Sequence, residues 1–359
     1  MPFPILRTPF VVLSDILNLL EPNEIVAASF CSKNVKRLLK RHYRQWKPSK
    51  WRLTMIYVES RGRVDIVTSR DGKRTTAMFA SHISELKEPI PISFARKGFV
   101  TTFYRRRSII YTEDRVMGLK ITVDYVTDLF NLYVYTLEID RYGVWAIDWI
   151  NEWQKKMLVR FDFHENSNYN WDGEVALDYV LRNARASDLY ILDDNLDEKV
   201  SDNFRFDGEM GPMRLLWINF SGHWVTLNNL ITIDAINIIV RESSLSVSNL
   251  YSFIRHWRAG GSPRLTFLRL ELNTATNFEK FEQEVEVVET DIVGEYNLNK
   301  GAYWHFDNGY SIQRNDGVKA VIDFGDEHFV MMVCFGENLY NRDNYVKGNS
   351  DQQFLLHQK

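Results

Sequence analysis

Residues 8–39 read TPFVVLSDILNLLEPNEIVAASFCSKNVKRLL, and the N-terminal fold turns on this stretch. Pro9 suits a helix start, where its missing N–H costs nothing. Val12, Leu13, Ile16, Leu17 and Leu20 then recur at the spacing of one helix face. Glu21-Pro22-Asn23 interrupts the pattern, because Pro cannot continue a helix and Asn favours caps and turns. Asn23 is expected to cap a second helix carrying Ile25, Val26, Ala28 and Phe30. Ser32 is expected to cap a third, from Lys33 to about Trp46, with Val35, Leu38 and Leu39 apolar and the other face rich in Lys and Arg.

Charge separates this head from the rest of the chain. Residues 1–50 carry nine Lys/Arg against three Asp/Glu, whereas the remainder carries 35 against 44. Fifty residues bury too little surface to be comfortably stable alone, so the helical head is expected to dock onto something. The 359-residue chain is 45% hydrophobic and 25% charged, which excludes wholesale disorder. Its net charge of -3 does not by itself indicate a nucleic-acid partner. Cys31 and Cys334 are too few and too far apart for a disulfide framework or a zinc site, and a reducing compartment is expected. No apolar run reaches the roughly 18 residues of a membrane span. The cytoplasm or nucleus is the expected location.

Residues 51–155 are rich in β-branched and aromatic side chains. Strands are predicted at 51–58, 63–68, 101–107, 108–112, 120–126 and 132–139, with a hairpin turn at Asp71-Gly72 and a short helix over 148–156. Beyond residue 158 strands alternate with helices. Strand-like runs begin at Ser187, Met213, Ile236 and Leu265, with helices over 173–183, 226–233 and 248–258 between them. That spacing matches leucine-rich-repeat units, although the asparagine ladder is incomplete, and a plain α/β domain is the alternative. Residues 311–324 and 328–335 should pair as a closing hairpin with Asp316-Gly317 at a turn. The fold class expected is α+β: three helices, a β-rich region, then an irregular leucine-rich-repeat-like strand–helix body closed by a β-hairpin. The expected domains are 1–47, 48–157 (linking), 158–335 and a polar tail, 336–359.

The opening stretch resembles the F-box motif. Pro9, Leu13, Ile16, Leu17, Leu20, Pro22, Ile25, Ser29, Ser32 and Leu38 fall on its pattern in register, while Thr8, Cys31 and Val35 depart from it. The leading FPILRTPF is similar to the form of a family expanded in nematodes. The resemblance implies docking to the Skp-family adaptor of a cullin-based ubiquitin ligase, with Pro9, Val12, Leu13, Ile16, Leu17, Leu20, Pro22 and Ile25 as anchors. Residues 221–272 resemble the type 2 F-box-associated domain, through Trp224, Leu227, Leu230, Asp234, Leu245, Leu250, Phe253, Ile254, Trp257, Gly260 and Pro263-Arg264-Leu265. Asn249 stands one position away from the usual asparagine. By spacing, Trp224, Leu227 and Leu230 share one helix face, as do Phe253, Ile254 and Trp257, and each set is expected to be core.

A search for chemistry finds no H-E-x-x-H, Walker loop, G-x-S-x-G or kinase set. Asn166–Gly173 resembles a degenerate calcium loop but lacks the closing Glu and reads as an Asn/Asp-rich loop, and His164-Glu165 is a lone pair. No catalytic residue, cofactor or metal site is expected. The expectation is a non-catalytic substrate-recognition subunit of a Skp–cullin–F-box ligase, with the C-terminal body holding an unidentified target protein. The acidic excess of the body favours a target with basic patches. The alternatives are an F-box scaffold without a role in ubiquitination, or an RNA-binding protein using Lys33, Lys36, Arg37, Lys40, Arg41 and Arg44. Neither membrane nor nucleic acid is the expected partner.

Overall fold

The computed structural model describes residues 9–45, 51–68, 73–86, 93–96, 99–104, 107–165, 173–194, 200–201, 203–219, 221–273, 278, 285, 287–290, 292–299, 302–306, 309–325, 327–333 and 339–341. The chain divides into two compact units, 1–201 and 202–359.

The first unit opens with three helices: α1 (Phe10–Leu19), α2 (Pro22–Cys31) and α3 (Lys33–Gln45). The second starts two residues earlier than Asn23 capping would place it. Glu21 is its cap, and the Glu21 and Glu24 side chains satisfy each other's backbone N–H groups, with Pro22 in the first turn. Ser32 caps α3 as expected, its Oγ accepting from the Val35 N–H at 3.1 Å.

The strands that follow are β1 (Arg52–Val58), β2 (Arg61–Val67), β3 (Arg74–His82), β4 (Ser93–Arg96), β5 (Phe99–Tyr104) and β6 (Arg107–Thr112). Next come α4 (Arg115–Phe130), β7 (Val134–Ile139), α5 (Trp145–Trp153), β8 (Leu158–Glu165), α6 (Gly173–Asn183) and β9 (Ala186–Asp194). The sheet order is β9-β8-β7-β1-β2-β3-β6-β5-β4. β1, β7, β8 and β9 pair with one another in parallel, whereas β1, β2 and β3 form an antiparallel meander. The Asp71-Gly72 turn lies outside the described residues, as does the calcium-like loop up to Asp172.

The strand predicted over 120–126 is instead the middle of α4. The run Ile121-Thr122-Val123 reads as β-branched, but three other forces act on it. Asp114 caps the helix by accepting from the Val116 and Met117 N–H groups at 2.8 and 3.2 Å. Leu119, Val123, Val126 and Phe130 are fully buried at helical spacing. The Thr122 and Thr127 hydroxyls donate back to the Gly118 and Val123 carbonyls, removing their competition for other backbone groups. Burial of four such side chains, at about 1.5–3 kcal/mol each, outweighs tenths of a kcal/mol in propensity.

The second unit holds β10 (Met213–Ile218), α7 (Leu227–Thr232), β11 (Ala235–Ser243), α8 (Val247–Arg258) and β12 (Phe267–Leu272). These are followed by β13 (Val288–Thr290), β14 (Ile292–Asn299), β15 (Ala302–Phe306), β16 (Gly309–Gln313), β17 (Lys319–Gly325), β18 (His328–Val333) and β19 (Leu339–Asn341). β10, β11 and β12 are parallel and adjacent, and β18, β17, β16 and β13 extend the sheet antiparallel. β14 pairs with β15 and β19 in a separate small sheet. The stretch 311–324 is therefore two strands, folded about Asp316-Gly317, with Gly317 at φ +90°. β17 pairs with β18, as the alternation predicts. Of the expected polar tail, 336–338 and 342–359 lie outside the described residues.

Both units combine helices with sheet, so the α+β expectation holds. Trp224, Leu230, Phe253, Ile254 and Trp257 are all buried, and none is more than 1% exposed.

Candidate functional site

α1 is apolar on two sides, and the described residues of the first unit cover one of them. Leu13 and Leu17 are 2% exposed, whereas Val12 is 47% and Leu19 81% exposed. Ile16 and Leu20 are half-buried and Pro9 is exposed. Pro22 and Ile25 of α2 are buried. The eight expected anchors thus split: Leu13, Leu17, Pro22 and Ile25 serve the internal core, and Pro9, Val12, Ile16 and Leu20 retain accessible surface. Val12, Ile16 and Leu19 follow the i, i+4, i+7 spacing and make one outward stripe. Leu19 was not among the expected anchors. The signal for it was present in that spacing, but it stands outside the motif positions that drew attention.

The helical head is seated on α4. The Ser29 and Tyr125 hydroxyls lie 2.7 Å apart, and Ser29 also donates to the Val26 carbonyl. The Phe30 ring stacks on Tyr125 at 4.6 Å and meets Phe103 edge-on at 5.5 Å. Lys36 lies over the other reach of the Tyr125 ring, 3.8 Å from its centre, and with Lys40 it pairs with Asp128. Tyr43, Trp51 and Phe130 close the lower end as an aromatic cluster. Burial there pushes the Tyr43 hydroxyl above its ordinary range and lowers the His42 imidazole.

This seating reduces the basic surface of α3. Lys36 and Lys40 are committed to α4, while Lys33, Arg37, Arg41 and Arg44 form an exposed stripe. An amphipathic solvated helix face accounts for that stripe. Tyr125 and Asp128 could not be found as partners by sequence reasoning, because their segment reads as a strand.

In the second unit, α7 and α8 begin alike. Thr226 with Asn229, and Ser246 with Asn249, form reciprocal capping boxes. This gives Asn249 a local role at its shifted position. Asn229 also donates to the Phe206 carbonyl at 2.7 Å, tying α7 to the loop before β10. Among the described residues no group of three or more His, Cys, Asp or Glu side chains is placed to hold a metal ion. His164 is not without a neighbour: its Nδ1 lies 3.9 Å from Asp193 on β9. No helix among the described residues is long and apolar enough to cross a membrane.

A family model described as F-box domain matches residues 9–47, and a second, described as F-box associated, matches residues 210–270. No curated protein and no solved structure matches the chain. The chain therefore carries an F-box and a type 2 F-box-associated domain. These two domains support a general role in substrate recognition for ubiquitin ligases.

Proposed function

We propose that this chain is the substrate-recognition subunit of a Skp–cullin–F-box ubiquitin ligase, working in the cytoplasm or nucleus and contributing no catalytic residue of its own. The F-box docks to the Skp-family adaptor, and the body beyond residue 47 holds the target protein. The observation that carries this reading is the outward stripe of α1. A helix apolar on both sides ordinarily lies inside a core. Here Val12 and Leu19 face solvent inside the matched F-box, so their apolar area is available to a partner helix groove. Ile16 completes the stripe, Pro9 and Leu20 border it, and Leu13, Leu17, Pro22 and Ile25 hold it in place from beneath.

The parallel runs β7–β9 and β10–β12, in which β7, β8, β10 and β11 are each followed by a helix, support an irregular leucine-rich-repeat-like reading of the body. The working division remains F-box 1–47, linking region 48–157, associated domain 158–335 and tail 336–359.

Co-purification with the adaptor tests the docking. Val12→Asp and Leu19→Asp place a carboxylate on solvent-facing positions, so folding should be retained by circular dichroism while adaptor recovery falls at least tenfold. Unchanged recovery in both folded variants would rule the docking face out.

A further inference from the structure

One face of the first unit's sheet carries the helices and the other carries charge. Tyr57 meets Trp145 of α5, Tyr190 donates to the Val180 carbonyl of α6, and Gly62 lies against Leu119 of α4. Residues of opposite parity in the same strands point away from these helices. The register places Arg63–Ile56–Glu138–Asp162–Ile191 in one row across β2, β1, β7, β8 and β9, and Asp65–Thr54–Thr136–Arg160–Leu189 in the next.

Acids and bases on this face differ in depth. The side chains of Asp65, Asp162 and Glu138 are 3%, 2% and 13% exposed. Those of Arg63, Arg160 and Arg74 are 45%, 40% and 38% exposed. Each buried carboxylate is met from above by a guanidinium. Arg74 spends all three nitrogens on Asp65 and Glu138. Among the described residues Arg63 and Arg160 use Nε, on Asp65 and Asp162, at 3.3 and 2.8 Å, and their terminal nitrogens make no hydrogen bond there. Asp65, Glu138 and Asp162 are thus screened from an approaching partner by the exposed guanidinium groups above them, although the body as a whole carries an acidic excess. The next row of the same face holds His164 and Asp193, 35% and 33% exposed. Leu189 and Ile191, half-buried, flank Arg160 and Asp162 on the neighbouring strand.

We propose that this open face binds an acidic, partly apolar polypeptide segment, whose carboxylates engage the terminal nitrogens of Arg63 and Arg160 and whose apolar side chains rest on Leu189 and Ile191. The inference deepens the proposed adaptor role by naming the chemistry of its target. Planar guanidinium forks match carboxylates in two-point geometry. The two arginines stand about three strand spacings apart, roughly 14 Å, a span that four or five residues of extended chain cover. Apolar side chains interleaved with the cations favour a polypeptide over a nucleic acid, which would want bases stacked on aromatic rings.

The test uses the full chain and fluorescence anisotropy with a labelled peptide alternating Glu and Leu. Binding is expected to weaken as salt rises, and Arg63→Gln with Arg160→Gln should weaken it at least tenfold. Arg63→Lys with Arg160→Lys keeps the charge and loses the fork, so it should lie between wild type and the Gln pair, and it serves if the Gln pair does not fold. Arg255→Gln with Lys319→Gln removes the same charge elsewhere and should change affinity less than twofold. The proposal fails if the acidic peptide does not bind, if a Lys-Leu peptide binds as well, if single-stranded RNA binds more tightly, or if the face variants match wild type. Adaptor co-purification is read separately on the same variants and should be unchanged, so loss of peptide binding and loss of adaptor docking are told apart.

Discussion

The Ser29 and Tyr125 hydroxyls meet at 2.7 Å, joining the second helix of the F-box to the long helix after the first strands. Tyr125 is also stacked by Phe30 and capped by Lys36, so one side chain gathers three kinds of attraction. Tyr125→Phe removes only the hydroxyl, and Ser29 keeps its bond to the Val26 carbonyl. A loss of about 1 kcal/mol is expected. Tyr125→Ala removes the ring as well and should cost about 3 kcal/mol or more. Urea unfolding of the two variants checks the order; equal losses would mean the ring contributes nothing.

Leu13 and Leu19 lie on the same helix with opposite exposures, 2% and 81%. Leu13→Ala should destabilise the chain by about 2–5 kcal/mol through the cavity it leaves. Leu19→Ala should change stability by less than about 0.5 kcal/mol. Thermal melts decide between this asymmetry and a helix packed equally on both sides.

Burial raises the Asp162 carboxyl to about 6, against the opposing pull of Arg160. Between its ordinary value near 3.8 and 6 the folded chain holds a proton that the unfolded chain has released. Stability from this group is therefore full below that window and is lost as pH rises through it, by on the order of 3 kcal/mol. Asp162→Asn abolishes the titration. The stability of wild type relative to that variant should fall between pH 4 and pH 7, and a difference independent of pH would overturn the assignment.

Gly222 precedes the buried Trp224 and has no room for a methyl group. An added Cβ would lie 2.2 Å from the Arg241 carbonyl oxygen and 2.4 Å from Val240 Cγ1. Since one of these is backbone, Gly222→Ala should cost about 3 kcal/mol and lower the unfolding midpoint. Asn249→Ala, which removes one capping box, should cost only about 1 kcal/mol.

Periodicity made much of the fold legible. The α1 stripe, α6 over 173–183, and the strands β1, β7 and β9 to β12 follow from local spacing, because a helix face or strand alternation is written directly in the side chains. The two Ser/Thr-x-x-Asn boxes could have been found the same way. In the F-box-associated segment Phe253, Ile254 and Trp257 are core on one side of α8 as expected. Of the other set, Trp224 and Leu230 are buried and Leu227 is half-buried, but Trp224 sits on a short turn before α7, so these three do not share a helix face.

What the residues could not decide alone is where competing local tendencies were resolved by distant partners. Residues 120–126 have strand composition, and only burial against the rest of the first unit, with the Asp114 cap, makes them helix. The α1 sequence marks Leu13 and Val12 as equally apolar; the packing beneath it turns one into core and leaves the other for a partner. Likewise the acidic composition of the body says nothing of depth. The register across five strands buries Asp65, Glu138 and Asp162 and lifts Arg63 and Arg160 above them, since a carboxylate short of reach is covered by a guanidinium on a longer stem.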